Sequence, residues 1–305
     1  MSVATAHYLH GLLLPSGVFI SELTDTTPKT NTDFITGFAA GHPQPLFKGV
    51  RGQRPDVTFR TPMVATALNA MGLFGYDASG GNTDLYYKKA ADFGSRTAAA
   101  SSAHKRLRAT QGLLYWRSLR VSHQQDAELD CRLCLTWDGT NNPIVPAGST
   151  ALAGTSVGVE WFTLGPVMVN GSQLPGVQEV SIDLRLNVHE RGSDGEIWPT
   201  FANIRDCNPI VTVKTLELDP WSALGLAGQP ITSLIVYLRK KAANGHNVAN
   251  ATTEHISFTA TNGIEVPDDI GAGANNEAMT TIPFEIAAPN AAGNVFTIST
   301  GTAIT

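Results

Sequence analysis

From Val180 onward, Val180-Ser-Ile182-Asp-Leu184-Arg-Leu186-Asn-Val188 alternates apolar and polar residues with period two. That alternation predicts a strand with one buried and one wet face, beginning near Val177. It runs into His189-Glu190-Arg191-Gly192-Ser193-Asp194-Gly195-Glu196, whose polar, turn-forming residues predict a long exposed hairpin loop. In the first half, Val18-Phe-Ile20-Ser-Glu-Leu23 is followed by a polar stretch from Thr24 to Asp33, which takes the same place. Met63, Ala67, Leu68 and Met71 stand at helical spacing, and Trp221-Ser-Ala-Leu224-Gly225-Leu226 is their counterpart. Residues 113–117 with 131–137, and 234–239 with 254–260, read as closing strands. Asp138-Gly139 and Asn262-Gly263 read as hairpin turns, because these residues tolerate the positive φ of a tight turn.

A repeat underlies this order. Pro45-Leu-Phe47 through Thr61 aligns without gaps on Pro199-Thr-Phe201 through Thr215, at an offset of 154 (199 − 45). Seven of the seventeen positions are identical, where chance gives roughly one. Leu14-Pro15 and Leu174-Pro175 precede the two copies, and Ala67-Leu68 and Ala223-Leu224 follow them. A weaker block likens 133–146 to 256–267. The expected fold is mainly β, with two tandem antiparallel β-sandwich or barrel domains, each with one short helix. Their spans are 1–165 and 166–305, the first carrying an insertion at 77–112.

Composition narrows the function. Hydrophobic residues make up 42% and charged residues only 15%, so partners are expected to cover much of the surface. A net charge of −5 is unsuited to sequence-independent nucleic-acid binding, which needs clustered Lys and Arg. Three cysteines make no disulfide framework and point to a reducing compartment. No apolar run approaches a membrane span, and the first residues lack the basic start of a signal peptide.

The candidate chemistry has bland explanations. Cys131-Arg-Leu-Cys134 has metal-site spacing, but no second pair follows and positions i and i+3 of a strand face opposite ways. Gly154-Thr-Ser156-Val-Gly158 matches a nucleophile pattern without the strand before it or the helix after it. His189, Glu190 and Asp194 lie on a polar loop, where solvated charges are the rule. No enzyme, cofactor or metal is expected. A carbohydrate-binding module would need Trp116, Trp137, Trp161 and Trp198 as an exposed platform, yet they stand beside apolar strands.

A strand, a long polar hairpin loop, a Pro-flanked strand ending Val-Thr-x-[Arg/Lys]-Thr and a short Ala-Leu helix, met twice, resemble the tail tube proteins of long-tailed bacteriophages. The better match is 176–215, with Trp198-Pro199-Thr200-Phe201 after the loop. The resemblance implies an inner β-barrel closed by six domains, here a homotrimeric pseudo-hexamer, stacked into a tube through which DNA passes without specific binding. It implies a virion protein made in the host bacterial cytoplasm, with other tail proteins at the tube ends and no membrane partner. It also implies that the loops reach neighbouring subunits, which makes Thr26, Pro28, Asn31, Asp33, Glu190, Arg191, Asp194, Gly195, Glu196 and Trp198 the candidate assembly residues. A distal tail or tail-completion ring protein is the alternative within that fold.

Overall fold

The computed structural model describes residues 7–77, 81–89, 104–152, 159–193, 195–218, 228–265, 268–273 and 276–305. The first half contains β1 (His7–Leu13), β2 (Phe19–Ile20), β3 (Asp25–Lys29), β4 (Thr32–Gly37), β5 (Phe47–Gln53) and β6 (Asp56–Thr61). After these come helix α1 (Val64–Met71), β7 (Tyr76–Asp77), β8 (Thr83–Lys89), β9 (His104–Ala109), β10 (Gly112–Ser122), β11 (Glu128–Leu135) and β12 (Ile144–Thr150). The second half opens with β13 (Phe162–Val169), β14 (Ser172–Leu174), β15 (Val177–Asp183), β16 (Leu186–Arg191), β17 (Phe201–Cys207) and β18 (Ile210–Thr215). It ends with β19 (Gln229–Ile231), β20 (Leu234–Lys240), β21 (His255–Ala260), β22 (Gly263–Glu265), β23 (Asp269–Gly273), β24 (Asn276–Ile286) and β25 (Thr297–Thr302).

The expected mainly β, antiparallel architecture is present, but one large sheet crosses both halves in the order β19-β22-β24-β18-β15-β10-β11-β6-β3. β23 also pairs with β24, and β7 with β10. Two five-stranded sheets, β12-β9-β8-β1-β2 and β14-β13-β20-β21-β25, complete the body. The hydrophobic core is likewise continuous: Trp116 of β10 meets Phe258 of β21 edge to face at 6.1 Å between ring centroids. On β10 the core positions are Leu114 and Trp116, then Leu119 and Val121. The change of parity follows from a bulge between Trp116 and Ser118, since one extra residue turns the following side chains to the other face.

Helix α1 buries Val64, Ala67, Leu68 and Met71 on one face. Met63 offers no side-chain cap. Instead the Glu160 carboxylate accepts the backbone N–H groups of Ala65 at 3.0 Å and Thr66 at 3.2 Å, where a negative charge suits the helix dipole. The counterpart expected at 221–226 lies outside the described residues, as does the Gly154–Gly158 motif.

Several expectations need correction. The boundary at 165/166 falls inside β13. Within the supposed insertion at 77–112, β8 and β9 are structural strands, and β8 pairs with β1 as β20 pairs with β13. The face of β8 and β9 away from the main core carries Asp84 and Lys88, both buried, with the half-buried Arg106 and Arg108, and these charges obscure the apolar alternation. It follows that 133–146 and 256–267 are not counterparts, because β11 lies in the large sheet and β21 in a smaller one. Neither Asp138-Gly139 nor Asn262-Gly263 closes a hairpin: β12 pairs with β9, and β22 with β19 and β24. The predicted strand at 177–188 is two strands, broken at Leu184-Arg185, where Arg185 has φ 45°.

Elsewhere the two halves coincide in detail. β4, β5 and β6 have the bounds of β16, β17 and β18 at a constant offset of 154 (201 − 47). The ladder shift between Asp33 and Phe34 has its match between Asn187 and Val188. Asn31, with φ 42°, stands where Arg185 does. The buried hydroxyls of Thr61 and Thr215 donate to the carbonyls of Glu22 and Pro175, both at 2.6 Å.

Candidate functional site

The features that distinguish this chain are two hairpin arms and the two ends of the large sheet. β4–β5 and β16–β17 each form a two-stranded sheet. Both leave the same end of the large sheet, since β3 and β15 run parallel to one another through the intervening antiparallel ladders. Each tip turns at a left-handed glycine, Gly41 with φ 81° and Gly195 with φ 77°, a conformation that costs glycine little. Equivalent hydrogen bonds close the tips: His42 N–H to Ala39 O and Glu196 N–H to Ser193 O, both 3.1 Å.

The second arm is bound to its own chain. Leu186, Val188, Ala202 and Ile204 cover Leu113, Tyr115 and Cys134, which lie on the face of β10–β11 opposite the core. Arg132 reaches Asp56 at 2.9 Å and Glu190 of the arm at 3.4 Å. Burial opposes the charge of Arg132, but the field of Cys134, Tyr115, Asp56 and Glu190 outweighs it and holds the guanidinium above its ordinary pKa. Burial first, and the nearby Glu190 second, push the Cys134 thiol up to about 12. Burial likewise raises the Tyr115 phenol. These groups keep one charge state at neutral pH and act as a fixed clamp.

The tip of this arm is tied down as well. Trp198 Nε1 donates to Gln53 Oε1 at 2.9 Å, Gln53 N–H donates to Ile197 O at 2.6 Å, and Trp137 N–H donates to Pro199 O at 2.8 Å. Trp137 and Trp198 meet at 6.2 Å with their planes 44° apart, and Trp116 is fully buried. Among the described tryptophans only Trp161, 37% exposed, ranks with the exposed large hydrophobic side chains, so the four expected residues do not make a flat exposed platform.

The first arm has the same backbone and meets the second through Gln53 at the end of β5, but among the described residues its Phe34–Val50 face has no such cover. Phe34 is 68% exposed and Val50 40%, whereas Val188 and Ile204 in the corresponding places are half-buried. Phe38, Leu46 and Phe47 are exposed near its tip. Apolar exposure of this kind is costly unless a partner covers it.

The ends of the large sheet differ from its middle in the same way. In the middle, β10 pairs with β15 from Ser118↔Asp183 to Ser122↔Glu179. At the ends, β3 pairs only with β6, and β23 only with β24, among the described strands. Position by position along β24 and β11, β23 holds the place of the second part of β10, and Ile270 the place of Leu119. Leu119 is 0% exposed and Ile270 39%. A free edge of this kind is a template for another strand.

The candidate residues are now placed. Thr26 and Pro28 belong to the edge strand β3, opposite Phe59 and Val57. Asn31 links β3 to the first arm, its amide donating to Arg54 O at 2.9 Å, and Asp33 lies on β4. Glu190 and Arg191 lie in strand β16 rather than in a loop; Glu190 is held by Arg132, and Arg191 Nε donates to His189 Nε2 at 3.0 Å. Gly195, Glu196 and Trp198 form the second tip, while Asp194 lies outside the described residues. Sequence reading missed Arg132 and Tyr115, which belong to another strand pair. It also missed Phe34 and Val50, although apolar residues amid polar ones were the available signal.

The face of the large sheet away from the core is charged and internally paired. Arg117 meets Asp130 at 2.8 Å, Arg120 meets Glu179 at 3.0 Å, Lys214 meets Glu179 at 3.3 Å and Arg185 meets Glu285 at 3.7 Å. Such exposed pairs contribute little stability, but they leave no block of one sign. Cys131 and Cys134 point to opposite faces of β11, one into the core and one under the second arm. Among the described residues no group of three or more His, Cys, Asp or Glu could hold a metal ion, and no helix is long and apolar enough to cross a membrane. No protein-family model matches the sequence, and no curated protein matches it.

Proposed function

We propose that the chain is a structural virion protein that self-assembles into stacked rings, forming a phage tail tube through which DNA passes. In this reading residues 7–152 and 159–305 are two versions of one unit, and three chains supply six units. The observation that carries it is the β10–β15 ladder, which joins one unit to the next, while β23 and β3 in the corresponding places have no second neighbour among the described strands. One more ladder of the same register would set Asp269 opposite Lys29 and Gly273 opposite Asp25 of the next copy. A head-to-tail joint of this kind closes into a ring when its rotation divides the circle. The resemblance to tail tube proteins sets that number at six units.

The charged face then lines the bore. Its Arg117, Arg120 and Lys214 are each held by a carboxylate of the same face, Glu179 serving two of them, which weakens their hold on phosphates and lets DNA slide. The reading assigns no catalytic step and no cofactor. Other tail proteins would meet the tube ends.

Electron microscopy of the purified protein tests this. Rings or filaments of uniform bore are expected, sixfold-like in projection and threefold in true symmetry. A distal tail or completion protein would stop at one ring. A compact monomer at high concentration would refute assembly altogether.

A further inference from the structure

We infer that the first arm is the joint made in trans: its Phe34–Val50 face docks on the surface around Ile264 and Glu285 in the second unit of the next copy of this chain. The inference rests on the ring reading and names the contact that holds neighbouring chains.

The argument is the contact the second arm already makes. Val188 and Ile204 of that arm cover Leu113 and Cys134. At the offset of 154, Val188 corresponds to Phe34 (188 − 34) and Ile204 to Val50, and these face each other across the first arm. On the receiving side, Gly112↔Leu135 and Leu113↔Cys134 of the first unit correspond to Gly263↔Ile286 and Ile264↔Glu285 of the second. Leu113 is 9% exposed beneath its arm, whereas Ile264 is 42% exposed with no arm over it among the described residues. Two apolar surfaces in corresponding places, one on an arm and one on a sheet, are therefore each uncovered, and each has the partner type that the cis joint pairs.

Charge agrees with the match. Ala202 of the second arm packs in the cluster that holds Cys134. The corresponding residues are Lys48, exposed on the first arm, and Glu285, exposed on the sheet and 3.7 Å from Arg185 of its own chain. The trans joint thus exchanges a thiol beneath an alanine for a cation beside a carboxylate. The same neighbour that extends β3 by strand pairing receives the arm, because β15 pairs with β10 while the second arm covers β10 and its neighbour β11, strands of one and the same unit.

The test uses full-length chains carrying Phe34→Asp or Ile264→Asp, with sedimentation and electron microscopy as readouts. Each variant is expected to keep the wild-type circular dichroism spectrum and to raise the concentration needed for assembly by at least about tenfold, the equivalent of about 1.4 kcal/mol lost per joint. Mixing the two variants should yield dimers and no rings, since only one arm and one receiving surface remain intact. A Phe34→Cys, Ile264→Cys chain should form dimers and trimers on a non-reducing gel after mild oxidation, against a background of native cysteines that are buried or half-buried. If wild type assembles while both aspartate variants assemble equally well and the cysteine pair gives no cross-link, the docking is wrong and the ring reading survives. If wild type never assembles, the ring reading fails and takes the docking with it.

Discussion

Replacing Arg132 with methionine should loosen the second arm and cost about 3 kcal/mol of folding stability. The guanidinium stands 2.9 Å from Asp56 and 3.4 Å from Glu190, whose side chains are only 8% and 9% exposed. At an effective dielectric of about 20, each contact amounts to roughly 5–6 kcal/mol of gross attraction, most of it offset by desolvation. Removing one partner of a buried ion pair costs about 3–5 kcal/mol, because the remaining charge stays buried without a counter-ion. Arg132 is 28% exposed, so the lower end applies. Methionine keeps most of the apolar stem, which confines the loss to charge.

Urea unfolding followed by tryptophan fluorescence measures this, and by the usual scaling the melting temperature should fall by about 6 °C. Neutralising the stranded carboxylates with Asp56→Asn and Glu190→Gln in the same chain should recover at least about half of the loss. A cost below about 1 kcal/mol for Arg132→Met, or no recovery in the triple variant, would show that apolar packing alone holds the arm.

Two further outcomes follow from the correspondence of the halves. Thr61 and Thr215 each donate to a carbonyl and accept a backbone N–H at 3.1 Å, from Met63 and Glu217. Thr61→Val and Thr215→Val should each cost about 1–3 kcal/mol in urea unfolding, and a clearly unequal pair would contradict their equivalence. Glu265 is buried where the first half has Leu114, as the pairs Glu265↔Phe284 and Leu114↔Leu133 place it. Burial raises its folded pKa above the unfolded value. The folded state therefore binds the extra proton between the two values, and stability falls as pH rises through that interval. Glu265→Gln should stabilise the protein at pH 7 and make little difference below about pH 4, where the unfolded carboxyl is also protonated. Equal stabilisation at both pH values would refute the assignment.

The repeat at offset 154, the strands after Pro55 and Pro209 and the helix at Met63–Met71 were legible because they depend on local pattern. Period-two alternation reports a face, and helical spacing reports a stripe, without reference to any distant residue. β8 and β9 were not legible. One of their faces buries charged residues, Asp84 and Lys88 among them, so their apolar residues do not stand out from a polar loop. The Asp138-Gly139 and Asn262-Gly263 turns misled for a related reason: glycine permits a reversal but does not say which strand the chain meets afterwards. Two nearly identical hairpins, one covered and one bare, were also beyond sequence, because cover is a property of what lies opposite. Local chemistry thus determined the unit and its recurrence. Only the tertiary structure decided that one arm is used within the chain and the other is left open, since that depends on which sheet face stands within reach.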